Sequence, residues 1–254
     1  MRSCVRFYLG THRPNWLGLT DVPLFVSRRT LTGRKTLPRA RGPWALDSGG
    51  FTELSMYGNW RTSEDEYVRD VGRFHFEVGQ LEWVAPMDWM CEDFVLRKTG
   101  LTVRDHQLLT VRNFQRLRAR LGPIVVPVLQ GQTVDDYLRC VELYERGGYD
   151  LPRERLVAVG TVCRRSQNLE AVAILRPLAA LGLRLHAFGI KGESLRLLGD
   201  DLASADSLAW SFAARRSAPS RGCSHKSCAN CLRYALRWRE RLLTSLGQMR
   251  LEAA

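Results

Sequence analysis

The sequence predicts an α/β fold, a (β/α)8 TIM-like barrel that carries a small C-terminal metal-binding segment. Short apolar runs, typical of buried parallel strands, alternate with amphipathic helical segments along the 254 residues. Eight such runs occur, and barrels of this type reach this length as one domain. We therefore expect a single barrel domain over residues 1–254, with the metal-binding segment and an Arg-rich helix at about 219–247. A doubly wound open sheet is the alternative.

The expected elements follow from apolar runs, capping residues and terminal glycines. The predicted strands are Arg6–Leu9, Pro23–Val26, Trp44–Leu46, Glu82–Ala85, Ile124–Leu129, Leu156–Val159, Leu185–Phe188 and Ser207–Trp210. The predicted helices are Ser63–Gly79, Val103–Leu121, Val134–Arg146, Asn168–Leu181, Ser194–Leu202 and Cys228–Leu246. The Arg- and Lys-rich stretch from Ser27 to Pro43 is predicted to be a long exposed loop.

The charge balance favours a nucleic-acid partner. The chain carries a net charge of +12, and most of its cations are arginines, whose planar guanidinium suits phosphate oxygens. A GC-rich genome would explain the excess of Arg over Lys, but it would not explain the net excess of cations. No apolar run approaches the ~20 residues of a membrane helix, and the N-terminus lacks a signal-peptide core. We expect a cytoplasmic protein without a membrane partner.

Polar residues and glycines follow the predicted strands at one rim of the barrel. Because the carboxyl ends of barrel strands form the active-site face, we expect these residues to converge on one pocket. They are Asp47, Ser48, Gly49, Asp88, Gln130, Gly131, Gly160, Gly189 and Asp206. A single Asp at a strand end is more often a helix N-cap, and Gln130-Gly131 alone is compatible with an ordinary turn. Their shared position favours a site for a flat ligand that hydrogen-bonds along one edge.

The same residues carry a resemblance to a known family. Asp47-Ser-Gly-Gly-Phe51 resembles the signature of the general acid/base aspartate in the tRNA-guanine transglycosylase superfamily. Asp206-Ser-Leu-Ala-Trp210 is similar to the segment that holds the nucleophilic aspartate of that superfamily. The resemblance runs from about Trp44 to Cys231 and includes Met87-Asp88, Gln130-Gly131, Val159-Gly160 and Phe188–Gly192. It is greatest to the DNA-guanine transglycosylase (DpdA-type) branch, which acts in 7-deazaguanine modification of DNA.

The resemblance implies an exchange of bases through two carboxylates. Asp206 would attack C1′ of a target nucleotide and form a covalent aspartyl-glycosyl intermediate, and Asp47 would act as the general acid/base. A 7-deazaguanine such as 7-cyano-7-deazaguanine would then replace guanine. The implied base-binding residues are Ser48, Gly49, Phe51, Asp88, Gln130, Gly131, Gly160, Gly189 and Lys191.

A metal site is predicted near the C-terminus. Cys223, His225, Cys228 and Cys231 offer three thiolates and an imidazole within nine residues, which suits a structural Zn²⁺. The chain has seven cysteines, and this odd number argues against a disulfide framework. A reduced thiol cluster without metal is the alternative. The superfamily has a zinc site here with three cysteines and a downstream histidine, whereas in this chain no histidine follows Cys231.

DNA is the expected substrate, and tRNA is the alternative. The bacterial tRNA enzymes are usually longer, and they commonly have glutamine where this chain has Thr52. Arginines between Asp206 and the end of the last helix are candidates for contact with the nucleic-acid backbone. These are Arg215, Arg216, Arg221, Arg233 and Arg237. A guanine-releasing N-glycosidase and an inactive nucleic-acid-binding relative are further alternatives. The sequence leaves open a homodimer or accessory modification proteins.

Overall fold

Eight parallel strands build the fold. In a computed structural model, the chain is described at residues 5–162, 168–190, 192–199 and 201–252. The strands are β1 (Arg6–Thr11), β2 (Leu24–Ser27), β3 (Trp44–Asp47), β4 (Leu81–Val84), β5 (Val128–Leu129), β6 (Val157–Val159), β7 (Leu185–Ala187) and β8 (Ser204–Ser207). Every pairing among them is parallel. The prediction of an α/β, TIM-like fold is confirmed.

The strand order shows how the sheet curls. The order is β4-β3-β2-β1-β8-β7-β6-β5, so the first and last strands pair with each other. Between β4 and β5 the described residues form one parallel bridge, from Val84 to Val125, instead of a ladder. The backbone N–H of Val126 also donates to the carbonyl of Val84 at 3.1 Å. We call this junction of β4 and β5 the seam.

Helices cover the outside of the sheet. They are α1 (Arg28–Leu31), α2 (Gly50–Tyr57), α3 (Glu64–Glu77), α4 (Asp93–Thr99), α5 (Val103–Leu121), α6 (Val134–Arg146), α7 (Asn168–Ala180), α8 (Gly192–Leu198), α9 (Ala209–Arg215) and α10 (Leu232–Glu252). Short 3-10 turns lie at Pro14–Gly18, Gly122–Ile124, Leu151–Arg153 and Cys228–Asn230. The predicted bounds of α5 and α6 are confirmed, because Thr102 and Thr133 begin these helices with capping boxes.

Two predicted elements were placed wrongly near the C-terminus. The last strand is Ser204–Ser207, whereas the apolar run Ser207–Trp210 was predicted, and its later residues begin α9. In the true strand, Asp206 lines a cavity and the Ser204 hydroxyl contacts the buried His186, so no apolar run marks it. The last helix begins at Leu232, because Cys228–Asn230 forms a 3-10 turn.

The stretch from Ser27 to Pro43 is also more ordered than predicted. It opens with α1, in which Arg28 is only 2% exposed. The guanidinium of Arg28 donates to Asp70, Thr62 and Glu66, each at 2.7 Å. A buried arginine is stable only with such partners. Part of the segment predicted as a loop therefore ties β2 to α3.

The core has two layers. The larger apolar cluster lies between the sheet and the helices, and a smaller one fills the barrel interior around Tyr8, Trp83 and Val128. The indole N–H of Trp83 donates to the hydroxyl of Tyr8 at 3.1 Å, and that hydroxyl donates to Glu82 at 2.7 Å. In the part of the chain that the structure describes, no helix combines the length and apolar character needed to cross a membrane.

Candidate active site

A cavity of about 400 Å³ is lined by residues at and beyond the carboxyl ends of the strands. Its volume is in the range of small-molecule sites. Carboxylates, an amide and aromatic rings share its wall. The lining residues are Phe25, Asp47, Phe51, Asp88, Met90, Glu92, Gln130, Gly160, Thr161, Phe188, Gly189, Asp206 and Leu208. Seven of the residues predicted for the site are therefore brought together.

Asp47 reaches the cavity because β3 ends at this residue. Burial raises the pKa of its carboxyl, and the nearby charge of Asp206 raises it further, while hydrogen bonds from Ser27 and the Gly49 backbone act in the opposite direction. Gly49 has a φ of +83°, and a Cβ there would lie 2.8 Å from Cγ of Arg29. A glycine is therefore needed for the turn that begins α2.

Asp88 and Gln130 form a hydrogen-bonded pair. The Gln130 amide donates from Nε2 to Oδ2 of Asp88 at 2.7 Å, and the Ser48 hydroxyl donates to Oδ1 at 3.0 Å. The Thr161 hydroxyl donates to Oε1 of Gln130 at 2.7 Å, which fixes the orientation of the amide. At Gly160 a Cβ would lie 2.3 Å from Nε2 of Gln130. The absence of a side chain there leaves room for this amide.

The protonation of Asp88 is set by its surroundings. Burial is the main cause that raises its pKa to about 7, and the charge of Asp47 adds to the effect. Hydrogen bonds from Ser48 and Gln130 favour the ionised form and limit the increase. The carboxyl therefore changes between hydrogen-bond donor and pure acceptor near neutral pH.

Asp206 lies within β8 and points into the cavity. The backbone N–H of Gly189 donates to its Oδ1 at 2.9 Å. Nε2 of His186 lies 3.3 Å from the same oxygen, and Nδ1 of His186 lies 2.8 Å from the Ser204 hydroxyl. Sequence reasoning missed His186 as a site residue. The sequence feature that could have identified it is a polar residue within the short apolar run of β7.

The remaining predicted base-binding residues have different positions. Phe51 lines the cavity mouth from α2, is 38% exposed and packs against Phe94. Ser48 and Gly49 support the wall without lining it. Gly131 packs against α6, since a Cβ there would lie 2.7 Å from Cβ of Asp136. Lys191 lies outside the described residues.

Several residues that line the cavity are not among the predicted site residues. Phe25 and Phe188 lie with their ring centroids 5.7 Å apart at an interplanar angle of 30°. The Thr161 hydroxyl lies 3.3 Å from the carboxylate of Glu92, and Thr161 has a positive φ of 57°. Because a non-glycine residue rarely has this backbone conformation, it would have been difficult to expect from the sequence.

The predicted metal ligands lie close together. The ligand atoms of Cys223, His225, Cys228 and Cys231 all lie within 4.8 Å of one another. Sγ of Cys223 lies 3.8 Å from Sγ of Cys228 and 4.0 Å from Sγ of Cys231. A tetrahedral zinc with Zn–S bonds of ~2.3 Å places its sulfur ligands ~3.8 Å apart. These donors therefore fit a four-coordinate metal ion.

The surroundings of the cluster favour the thiolate form of Cys228. The backbone N–H of Ser220 donates to Sγ of Cys228 at 3.3 Å, and His225 lies 3.2 Å from the same sulfur. These contacts lower the pKa of Cys228 to about 7, with the Ser220 N–H as the main cause. At Cys223, burial and the neighbouring cysteines raise the pKa of the thiol, and a hydrogen bond from the Arg233 guanidinium to its Sγ at 2.9 Å opposes that increase. Since metals bind the thiolate form, this environment suits a metal site.

The cluster is connected to the segment that follows Asp206. The Ser211 hydroxyl on α9 donates to the carbonyl of Ala229 at 2.9 Å. The ring of His12, just after β1, bonds Asn230 and stacks on Trp210 with centroids 6.3 Å apart. The Trp210 indole N–H donates to the Gly10 carbonyl at 2.8 Å. The candidate metal site thus supports the β1–β8 side of the barrel.

The predicted backbone-contact arginines are solvent-exposed. They are Arg215, Arg216, Arg221, Arg233 and Arg237. The guanidinium of Arg216 lies 3.4 Å from the ring centroid of Phe212, an exposed residue of α9. Arg233 also donates to the carbonyl of Arg221 at 3.0 Å, so it is partly engaged within the protein.

Comparisons with known proteins identify the family. A search of curated proteins finds no match to this chain. A family model described as DpdA, DeoxyPurine in DNA protein A, matches residues 3–253, nearly the whole chain. The match includes Asp47 and Asp206 in the cavity and the metal-ligand cluster. The chain belongs to the DpdA family, deoxypurine in DNA protein A.

Proposed function

We propose that this protein exchanges guanine in DNA for a 7-deazaguanine base, such as 7-cyano-7-deazaguanine. One observation carries the proposal: Asp47 and Asp206 line one cavity together with the Asp88–Gln130 pair. Two carboxylates beside a hydrogen-bonding wall are what a base exchange with retention at C1′ requires. The description of the DpdA family supports a purine in DNA as the target.

Asp206 is the proposed nucleophile. Its carboxylate attacks C1′ of the target nucleotide, an aspartyl ester forms, and the electron pair of the C1′–N9 bond leaves with guanine. Asp47 gives guanine a proton at a ring nitrogen. The incoming 7-deazaguanine then loses its N9 proton to Asp47 and attacks C1′, and the electron pair of the ester bond returns to Asp206. A carboxyl whose pKa is raised by burial, as in Asp47, is suited to this proton transfer.

Asp88 and Gln130 are proposed to bind the hydrogen-bonding edge of the base. Both are buried at the cavity wall, and Thr161 holds the amide in one orientation. The ionised Asp88 accepts from the ring N–H and amino group of a guanine-type base. Ser48, Gly49, Gly131, Gly160 and Gly189 shape the surrounding backbone, and Phe51 covers the mouth. Because a duplex hides these base atoms, the target nucleotide must leave the stack.

The cysteine and histidine cluster is proposed to hold a structural Zn²⁺. Four protein ligands leave no open coordination position, which is typical of structural rather than catalytic zinc. The ion would fix the 3-10 turn at Cys228–Asn230 against α9, and it would position α10. We propose that the barrel and this segment form a single domain. The exposed Arg215, Arg216 and Arg237 would contact DNA phosphates.

Base exchange is tested with labelled 7-cyano-7-deazaguanine and either duplex DNA or tRNA. We expect label in DNA, and we expect the Asp206→Asn variant to bind DNA but transfer no label. Label in tRNA alone would contradict the choice of substrate. Release of free guanine without incorporation of label would show a hydrolase instead. Full exchange by Asp206→Asn would refute the assignment of the nucleophile.

A further inference from the structure

His186 lies beneath Asp206, in the interior of the barrel. Its side chain is fully buried, and its ring centroid lies 4.7 Å from that of Trp83 and 5.1 Å from that of Phe188. Its two ring nitrogens face two polar partners, Ser204 and Asp206. Among the described residues, Ser204 and Asp206 are its hydrogen-bonding partners, and together with the aromatic neighbours they hold the ring in one orientation.

The hydrogen-bonding partners define the tautomer. An ionised carboxylate only accepts hydrogen bonds, so Nε2 of His186 must carry the hydrogen that faces Oδ1 of Asp206. In the neutral imidazole Nδ1 is then an acceptor, and the Ser204 hydroxyl donates to it. The register of the sheet supports this arrangement, because His186 of β7 pairs with Ser204 of β8.

Both donors reach the same oxygen of Asp206. The Gly189 N–H lies 2.9 Å from Oδ1, and Nε2 of His186 lies 3.3 Å from it. Among the described residues, the hydrogen bonds to the Asp206 carboxylate all end on Oδ1. The two carboxylate oxygens are therefore not equivalent, and Oδ2 is the one left to bond the sugar.

We propose that His186 is a positioning residue that assists mainly the second half of the exchange. The proposal rests on the function proposed above, in which Asp206 is the nucleophile. When the incoming base attacks C1′, the electron pair of the C1′–Oδ2 bond returns to Asp206, and negative charge spreads onto Oδ1. The donors from His186 and Gly189 strengthen as this charge develops. The Asp206 carboxylate thereby becomes a better leaving group.

The same donors have a smaller effect on the first half of the exchange. They hold Oδ2 toward C1′, which favours attack, but they also stabilise the free carboxylate, which opposes attack. In ester formation, the orientation of Oδ2 and the stabilisation of the free carboxylate act in opposite directions. In ester breakdown, stabilisation of the departing carboxylate accelerates the step and nothing opposes it. Loss of the His186 donor should therefore slow ester breakdown more than ester formation, so the covalent intermediate should accumulate.

The test measures the covalent protein–DNA adduct during turnover. The full-length protein reacts with guanine-containing duplex DNA and 7-cyano-7-deazaguanine, is quenched in denaturant, and the adduct is separated on a gel. For His186→Phe, which fills the aromatic pocket without a donor, we expect turnover to fall at least about tenfold. We also expect the fraction of enzyme held as adduct to rise. His186→Gln, which keeps an N–H donor, should restore much of the turnover.

Other outcomes separate this proposal from the function on which it rests. A fall in turnover with an equal fall in adduct, or no change in either, would overturn the role of His186. If wild-type protein exchanges bases without any adduct, the covalent mechanism itself is wrong. If His186→Phe does not fold, the smaller His186→Leu provides the test, because it also removes the donor to Oδ1 of Asp206. A raised adduct fraction in His186→Leu supports the proposal, and an unchanged fraction refutes it.

Discussion

Gly160 offers a direct test of how the base-binding wall is built. In the Gly160→Ala variant the new Cβ would lie 2.3 Å from Nε2 and 2.6 Å from Cδ of Gln130, whereas ordinary contacts begin near 3.4 Å. The backbone at Gly160, just after β6, is held by a hydrogen bond from its N–H to the Leu129 carbonyl at 2.9 Å, so the Gln130 side chain must leave. It then loses its hydrogen bond to Asp88 at 2.7 Å and the one from Thr161 at 2.7 Å.

The expected loss follows from those two bonds. A hydrogen bond to a charged group contributes ~1.5–3 kcal/mol and a neutral one ~0.5–1.5 kcal/mol, so the free energy of unfolding of the variant should be lower by about 2–4.5 kcal/mol. Chemical unfolding measures this difference, and the KM for the incoming base should rise in the same variant. Gly72→Ala is the matched control, because a Cβ there meets nothing within 4 Å in α3. It should be neutral or stabilising by up to ~1 kcal/mol. If Gly160→Ala were as stable as wild type with an unchanged KM, the reasoning about Gln130 would be refuted.

Three further predictions concern charge, metal and DNA. The pKa of Asp88 is about 7 in the folded chain and ~3.9 in the unfolded chain. Its contribution to stability is therefore complete below pH ~4 and lost as the pH rises through 7. Asp88→Asn should lack this dependence. Between pH 4 and pH 8, the unfolding free energy of the wild type should therefore fall relative to that of Asp88→Asn, by at most about 4 kcal/mol. Parallel pH profiles of the two proteins would contradict this. Elemental analysis should find about one zinc per chain, which is lost with a lower melting temperature in Cys228→Ser; native protein without metal would refute the site. Arg215→Ala and Arg216→Ala should each weaken DNA binding and reduce the salt dependence of log Kd by ~0.9, whereas the exposed Arg146→Ala on α6 should not; equal slopes for all three would exclude these contacts.

The strand-end carboxylates were predictable because their positions follow from the fold. Once short apolar runs are assigned to parallel strands, the residues that follow them must share one rim. Asp47 and Gln130 come directly after such a run, Asp88 follows one three residues later, and all three line the cavity. The sequence spacing of the cysteines likewise predicted a cluster that the structure brings together.

The side chains inside the barrel were less predictable. Strand β8 carries Ser204 and Asp206 on the face that points inward, so polar residues replace the apolar run that marks other strands. His186 was hidden for a related reason, since its apolar neighbours in β7 suggested a core position. Its role depends on the register between β7 and β8, which pairs residues 18 positions apart in the chain. Apolar patterning does not encode that register.

The hydrogen-bonded pair of Asp88 and Gln130 also connects the two strands at the seam. Asp88 follows β4 and Gln130 follows β5, so their hydrogen bond spans the junction that the backbone closes with one bridge. The pair therefore adds a side-chain hydrogen bond across the seam. A base that engages both side chains joins the two edges through its own ring. Binding of a guanine-type base should therefore stabilise the seam and slow hydrogen exchange at Val84 and Val126.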